Sequence, residues 1–143
     1  MVRKAKIEDI DILNNFYTKM ILEDLKYEEP NLDITSFNYS NEIEDDNYVI
    51  LIVIKDKKEV GFIHSYIKNN KAIIDSIYIE KEYRNMGLGT ELVEKLRDYL
   101  RSYKLEVTIE NGNKTYFLFN KLGFKITKVV MNLDCKEDLW HHI

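Results

Sequence analysis

Hydrophobic and polar residues follow two periods along this chain. Over residues 72–80, β-branched residues alternate with polar ones, which is the period of a strand. Over residues 88–100, apolar residues recur at helical spacing and form one stripe of a helix. Residues 48–54 are apolar at every position, so this strand is expected to be buried on both faces. Together the patterns predict strands at 2–5, 48–54, 59–68, 72–80, 105–109 and 124–133, and helices at 10–25, 88–103 and 114–122.

The connections between these elements predict how the strands pair. Short polar turns separate the strands at 48–54, 59–68 and 72–80, so these three strands should form an antiparallel meander. The strand at 105–109 is reached through a helix and is therefore expected to run parallel to the earlier strand.

Three stretches of the chain interrupt or follow these elements. The first helix should end near residues 27–30, because a residue that precedes proline disfavours helical backbone. Residues 31–47 are polar and end in an acidic cluster, which predicts a loop with one short helix. This loop is either a solvated surface segment or a flap that covers a substrate. Gly123 is expected to end the helix at 114–122, and residues 134–143 form a charged tail.

A glycine-containing turn, R-N-M-G-L-G-T at residues 84–90, joins a strand to a helix. The start of a helix presents unpaired N–H groups and a partial positive charge. Because glycines let a bulky anion approach that backbone, the turn suits a phosphate or pyrophosphate. Taken alone, it is equally well interpreted as a tight turn without a ligand. A P-loop is excluded because no lysine follows Gly89, and a dinucleotide fingerprint is excluded because Leu92 stands where a third glycine is required.

Length, composition and charge exclude several classes of protein. The chain of 143 residues is expected to form one domain, 1–143, which buries about two thirds of the surface of its unfolded form. Its longest apolar run is too short to cross a bilayer, and its first residues do not resemble a secretory signal. The lone Cys135 cannot form an internal disulfide, which suits the cytoplasm. A net charge of −4 does not favour nucleic-acid binding and is compatible with a cationic substrate.

The glycine turn resembles the pyrophosphate loop of the GNAT superfamily of acetyl-CoA-dependent N-acetyltransferases. The family pattern Gln/Arg-x-x-Gly-x-Gly/Ala is matched by Arg84, Gly87 and Gly89. A second stretch, E-N-G-N-K-T-Y-F-L-F-N-K-L-G-F at residues 110–124, resembles the family's second signature. The resemblance covers essentially the whole chain. It implies an α/β (α+β) GNAT fold, with a mixed, mostly antiparallel sheet, a splayed parallel strand pair and flanking helices.

The resemblance also implies acetyl-CoA as co-substrate and a set of residues that bind it. In the family, the pantetheine arm lies between the splayed strands and bonds to the backbone of one of them. Unpaired strand groups need partners, and an amide-bearing ligand supplies them. Tyr78 is equally well interpreted as a packing residue, and the asparagine that opens the second signature is either Asn111 or Asn113. The implied cofactor-binding residues are Ile77, Tyr78, Ile79, Arg84, Asn85, Met86, Gly87, Leu88, Gly89, Thr90, Asn111, Asn113 and Phe119.

The chemistry of this family is direct transfer of an acetyl group from a thioester to an amine. The amine must be neutral to attack, and a lysine-like amine is neutral in only about one molecule in 2,500 at pH 7, against roughly one in seven for an α-amine. By position, Asp75 and Glu106 are candidates to take the proton, and His64 is a third. Each of the three also has a structural interpretation.

One position departs from the family in a way that affects protonation of the leaving thiolate. The family commonly places a tyrosine four residues before the glycine of Lys-Leu-Gly-Phe, and this chain has Phe119 there. Tyr116 lies three residues earlier on the same predicted helix and is the candidate general acid. The alternatives are that water supplies the proton and that Tyr116 only packs against the sheet.

The resemblance implies an N-acetyltransferase that acts on an amine such as a peptide N-terminus, a polyamine or another small amine. Neither a nucleic acid nor a membrane is expected as a partner, and both a monomer and a homodimer are compatible with the sequence. A catalytically weak acetyl-CoA-binding sensor or interaction module is the alternative, and release of free thiol in the presence of amines distinguishes the two. Preferential binding of ATP would instead favour an unrelated nucleotide-binding module.

Overall fold

A computed structural model of the protein describes residues 1–25 and 39–136. In these ranges, a five-stranded sheet has the spatial order β1-β2-β3-β4-β5, with helices on both of its faces. The strands are β1 Val2–Lys4, β2 Tyr48–Lys55, β3 Lys58–Lys68, β4 Lys71–Ile79 and β5 Lys104–Val107. The helices are α1 Ile10–Leu25, α2 Ser40–Ile43, α3 Leu88–Tyr99 and α4 Thr115–Lys121, with short 3₁₀ turns at Ile7–Asp9 and Lys81–Tyr83.

The pairing of the strands confirms the predicted mixed sheet. Strands β1 to β4 pair antiparallel in sequence order, and β5 pairs parallel to β4 after the α3 crossover. Two register shifts interrupt the ladders, one between Val53 and Ile54 of β2 and one between His64 and Ser65 of β3. The second shift lies beside the candidate active site described below.

Each face of the sheet carries its own hydrophobic core. On one face, Leu92 and Leu96 of α3 pack with Leu51, Val53 and Ile63 of the sheet. The other face packs against α1, and its buried members are Leu13, Phe16, Tyr39, Ile50, Ile52, Phe62 and Tyr78. Alternate residues of β2 therefore enter opposite cores, which confirms the prediction that this strand is buried on both faces. Full burial of one such side chain is worth about 1.5–3 kcal/mol.

The structure differs from the predicted elements near the C-terminal end of the sheet. Helix α3 ends at Tyr99, so the predicted extension to residue 103 is wrong; a turn follows because Leu100 leaves helical backbone. Strand β5 ends at Val107 because its pairing with β4 ends there. The strand predicted at 124–133 is also wrong, because that segment has no strand partner among the described residues.

Parts of three predictions lie outside the described residues. These are the end of the first helix near residues 27–30, the first part of the 31–47 loop, and the last part of the 134–143 tail. The described part of the loop contains the short helix α2, as predicted. No helix among the described residues is long and apolar enough to cross a membrane.

Candidate active site

A gap opens in the sheet where β4 and β5 separate. Their parallel pairing runs from Lys71 opposite Lys104 to Ile74 opposite Val107 and then ends. Beyond this point, residues 76–79 of β4 pair only with β3 among the described residues. Backbone groups of β4 that face the gap are therefore available to a ligand that carries amides. Ile77, Tyr78 and Ile79 lie in this segment, where the resemblance to the family places them.

A β-bulge lies at the point where the two strands separate. Ile74 pairs with Ser65 and Ser76 pairs with His64, so Asp75 is an extra residue without a partner in β3. A bulge bends its strand and redirects the side chains beside it. The Asp75 side chain remains 45% exposed and accepts a hydrogen bond from the Ser76 hydroxyl at 3.1 Å. Asp75 is thus a solvent-accessible carboxylate at the mouth of the gap.

His64 connects this carboxylate to a second one. Its side chain is only 3% exposed, and its Nε2 lies 2.8 Å from a carboxylate oxygen of Glu42 in α2. Its Nδ1 lies 3.4 Å from the Asp75 carboxylate. The rings of Tyr39 and Tyr48 pack around the imidazole at 5.8 and 5.7 Å between centroids. Two acids therefore flank one buried imidazole.

The surroundings of His64 and Asp75 shift their pKa values in opposite directions. Burial lowers the pKa of His64, but the hydrogen bonds to Asp75 and Glu42 outweigh burial and leave the pKa above its ordinary value of 6.5. The hydrogen bond from His64 lowers the pKa of Asp75, against a smaller opposing effect of burial. Asp75 is therefore ionised at neutral pH, and the imidazole of His64 keeps its proton to a higher pH than an isolated one.

The glycine turn forms the start of α3 as predicted. Gly87 precedes the first helical residue with φ of +83°, a conformation that favours glycine, and no side chain of the described residues caps the helix. The first N–H groups of α3 are therefore available to an anion. A Cβ on Gly89 would lie 3.2 Å from the end of the Leu118 side chain, so α4 packs closely against this turn. Asn85 and Met86 are exposed in the turn.

The side chain of Arg84 is engaged elsewhere. Its Nη2 donates to both carboxylate oxygens of Glu23 in α1, at 2.6 and 2.8 Å, and its Nε donates to the backbone oxygen of Ile79 at 2.8 Å. The guanidinium also lies over the Tyr78 ring, 5.4 Å from its centroid. Arg84 thereby fixes the turn to α1 and to the end of β4.

Residues of the second signature lie at or near α4. Asn113 accepts hydrogen bonds from the backbone N–H and the hydroxyl of Thr115, both at 2.9 Å, so it stabilises the start of the helix. Asn111 is exposed in the preceding turn. Phe119 is 2% exposed and packs edge-on against Phe124 in the core, with ring centroids 5.1 Å apart.

The remaining catalytic candidates do not belong to the His64 cluster. Glu106 lies on β5 and pairs with Lys71 at 3.3 Å. Tyr116 is partly exposed on α4, and its hydroxyl accepts a hydrogen bond from Asn120 at 3.4 Å. The sequence alone does not indicate Glu42 as a partner of His64. Glu42 belongs to the acidic cluster at the end of residues 31–47, but no local sequence pattern indicates that this segment packs against β3.

Comparisons with known proteins agree with this geometry. Residues 11–124 match the acetyltransferase (GNAT) family. A predicted acetyltransferase from Clostridium acetobutylicum, solved with acetyl-CoA, superposes with a TM-score of 0.74 at 19% identity over 99% of this chain and 97% of that chain. The PaiA N-acetyltransferase from Thermoplasma acidophilum, solved with coenzyme A, superposes with a TM-score of 0.74 at 23% identity, over 91% of this chain and 92% of that chain. Aminoglycoside N-acetyltransferase AAC(6')-Iy, solved with CoA, superposes with a TM-score of 0.71 at 13% identity, over 95% of this chain and 99% of that chain.

No curated protein sequence matches the chain. At such low identities the structural matches establish the fold, whereas the family match covers well over half of the chain and includes the glycine turn, the splayed strands and α4. The protein therefore belongs to the GNAT family of acetyltransferases.

Proposed function

We propose that this acetyltransferase transfers the acetyl group of acetyl-CoA directly to an amine, with Asp75 at the reacting end of the site. The observation that carries the proposal is the bulged Asp75, which lies where β4 and β5 separate and is backed by His64 and Glu42. The co-substrate supplies an activated thioester. Two features of the described part of the chain fit it: backbone of β4 beyond its pairing with β5, for the pantetheine amides, and a start of α3 without a side-chain cap, for the pyrophosphate.

In this proposal Asp75 accepts the proton of the acceptor amine, directly or through one water. Its low pKa keeps it ionised, so it also attracts the cationic form of the amine. A carboxylate this acidic holds a proton only briefly, and His64 at 3.4 Å is the stronger base to receive it. Glu42 holds the imidazole from the other side and stabilises its protonated form. Because the pKa of His64 is raised, its imidazole is a stronger base than an isolated one.

Tyr116 is proposed to donate a proton to the departing thiolate of CoA. Its hydroxyl is partly exposed and is held by Asn120, whereas Phe119 at the usual tyrosine position is buried and has no proton to give. A thiol with a pKa near 8.5 is a tolerable leaving group, so the contribution of an acid here is modest. Water is the alternative donor.

A cleft beside the His64 cluster supports a small cationic amine as acceptor. It has a volume of about 360 Å³, and its lining includes Asp45, Tyr48, Tyr66 and Lys68. The Tyr48 ring also contacts the ring of His64, so the cleft adjoins the proposed base. Aromatic faces beside a carboxylate favour an ammonium group. We propose α-amines and small polyamines as the first acceptors to examine.

The decisive experiment measures free thiol from acetyl-CoA in the presence of a panel of amines and matched alcohols. We expect amine-dependent thiol release and an acetylated amine product by mass spectrometry. Acetylation of alcohols alone would contradict the amine proposal. Tight binding of acetyl-CoA without amine-dependent thiol release would instead identify a binding module that performs no transfer.

A further inference from the structure

Two ion pairs connect α1 to the segment that joins β4 to α3. The 3₁₀ turn Lys81–Tyr83 in this segment is flanked by Glu80 and Arg84. Lys19 of α1 donates to both carboxylate oxygens of Glu80, at 2.9 and 3.0 Å. Glu23 of α1 accepts two hydrogen bonds from Nη2 of Arg84, at 2.6 and 2.8 Å. Both ends of the 3₁₀ turn are therefore attached to the same helix.

The spacing and charges of the two α1 residues match the ends of this turn. Lys19 and Glu23 are four residues apart, so their side chains lie on the same face of the helix. They carry opposite charges, and so do their partners Glu80 and Arg84. A displacement of the 3₁₀ turn along α1 by one helical turn would place like charges beside each other. The pattern therefore specifies one position of the 3₁₀ turn against α1.

The side chain of Arg84 is held from β4 as well, and the backbone after it is strained. Its Nε donates to the Ile79 oxygen, and its guanidinium lies over the Tyr78 ring. Asn85, the next residue, has φ of +63°, and Gly87 follows in the same left-handed region. A residue other than glycine keeps this conformation only where the surrounding structure holds it. Arg84 is placed to provide that constraint at the start of the glycine turn.

We propose that Glu23 is a positioning residue for acetyl-CoA, which acts by holding Arg84 and thereby the shape of the glycine turn. The inference rests on the proposed placement of the pyrophosphate at the start of α3. In this role the Arg84 side chain fixes the backbone of the turn, and the backbone N–H groups bind the phosphates. Groups that are already ordered bind a ligand more tightly, because less freedom is lost on binding.

A direct contact between Arg84 and the pyrophosphate would have the opposite consequence. In that case Arg84 would have to leave Glu23, and the Glu23 carboxylate would compete with the ligand for the guanidinium. Removal of the Glu23 charge would then strengthen the binding of CoA, whereas in the positioning role it weakens that binding. The sign of the effect on CoA affinity therefore distinguishes the two roles of Arg84.

The first test measures the Kd of CoA by calorimetry in Glu23→Gln. This variant keeps the size of the side chain but removes its charge and one acceptor oxygen, so the Kd should rise roughly threefold to tenfold. Because the Glu23 side chain is 44% exposed, circular dichroism should show an intact fold. Glu82→Gln, an equal change of charge in the 3₁₀ turn but outside both ion pairs, is the matched control and should bind CoA like the parent. An unchanged or lower Kd in Glu23→Gln overturns the proposal.

The second test asks whether the loss is confined to the pyrophosphate. Pantetheine lacks that group, so its Kd from displacement titration should be the same in the parent and in Glu23→Gln. A general loosening of the fold would weaken both ligands, which contradicts a positioning role.

The third test asks whether Glu23 acts through Arg84. Arg84→Lys keeps the positive charge but lacks the fork that reaches Ile79 and Glu23 together, so it should lose at least as much CoA affinity as Glu23→Gln. The double variant should lose no more than Arg84→Lys alone. Additive losses would show that Glu23 acts independently of Arg84. If Gly89→Glu loses CoA affinity while Glu23→Gln does not, the role of Glu23 fails and the placement of the pyrophosphate stands; if Gly89→Glu binds CoA like the parent, the placement itself fails.

Discussion

At the scale of single residues, His64 determines much of the electrostatics of the site. It is buried between Glu42 and Asp75, and its pKa is raised because hydrogen bonds to these carboxylates outweigh its burial. A pKa raised above its unfolded value of about 6.5 means that folding favours the protonated imidazole. This contribution to stability is fully present below pH 6.5 and is lost as pH rises through the folded pKa.

The first prediction follows from the upward direction of the His64 pKa shift. The free energy of unfolding of the parent, measured with urea at a series of pH values, should fall as pH rises above about 6.5. His64→Gln removes the titrating group, so its stability should vary less over the same range. Asp75→Asn removes one of the two acids and should move the decline toward lower pH. A parent whose stability does not change between pH 6 and pH 9 would falsify the proposed shift in the His64 pKa.

The second prediction separates Asp75 from Glu106. A positioned general base raises the rate of a reaction by about 10²–10⁴-fold. Asp75→Asn should therefore lower kcat by about 10²–10⁴-fold while acetyl-CoA binding is retained. Glu106→Gln is the matched control, because Glu106 pairs with Lys71 and lies outside the His64 cluster. His64→Gln should also remove the rise of kcat/KM with pH that neutralisation of the imidazole causes. Equal losses in the Asp75 and Glu106 variants would show that the cluster has no special part in proton transfer.

The third prediction concerns Tyr116. If its hydroxyl protonates the leaving thiolate, Tyr116→Phe should lower kcat by roughly tenfold to a hundredfold with little change in CoA binding. Phe117→Leu is a suitable control, because Phe117 is a neighbouring exposed residue of α4 without a hydroxyl. Full kcat in a folded Tyr116→Phe enzyme would leave water as the donor. Adding a hydroxyl at Phe119 is a poor rescue, since that ring is buried in the core and an unsatisfied hydroxyl there costs about 1–3 kcal/mol.

At the scale of elements, the start of α3 is the part of the candidate site whose local structure the sequence predicts best. Gly87 supplies the left-handed residue before the helix, and Gly89 keeps the turn close to Leu118 of α4. Gly89→Glu adds both bulk and a negative charge where the pyrophosphate is proposed to lie. Calorimetry should therefore show a much larger loss of CoA affinity for Gly89→Glu than for the neutral Gly89→Gln, which isolates the effect of charge. Equal affinities in the parent and in Gly89→Glu would place the phosphates elsewhere.

Other elements depend on contacts that no local pattern encodes. Periodicity located β2, β3, β4 and α3 because their apolar residues repeat against a core. The bulge at Asp75 depends on one additional residue relative to β3, and residues around it alternate as in any strand. Glu42 reaches His64 across 22 positions of the chain. The segment at 124–133 has the composition of a strand, yet a strand also requires a partner edge, which its own sequence does not specify.

At the scale of the whole molecule, the site lies between two cores that share one sheet. β4 contributes Ile74 to the core under α3 and Tyr78 to the core under α1, and the open stretch of its backbone lies between them. The Arg84–Glu23 pair joins the glycine turn to α1 on the far side of β4. A ligand in the proposed site is therefore expected to contact β4 and the glycine turn, which are already linked to α1 through Arg84 and Glu23. Binding should stabilise the folded chain as a unit.

The last prediction uses this coupling to separate binding from catalysis. A ligand that binds only the folded state at a hundred times its Kd adds about 2.7 kcal/mol to the free energy of unfolding. For a chain of this size, acetyl-CoA should then raise Tm by roughly 5–10 °C. Asp75→Asn should keep that shift, because it removes a proton acceptor and leaves the backbone of β4 in place, whereas Gly89→Glu should lose most of it. If Asp75→Asn lost the shift as well, Asp75 would act in cofactor binding, and its effect on kcat could not be assigned to proton transfer.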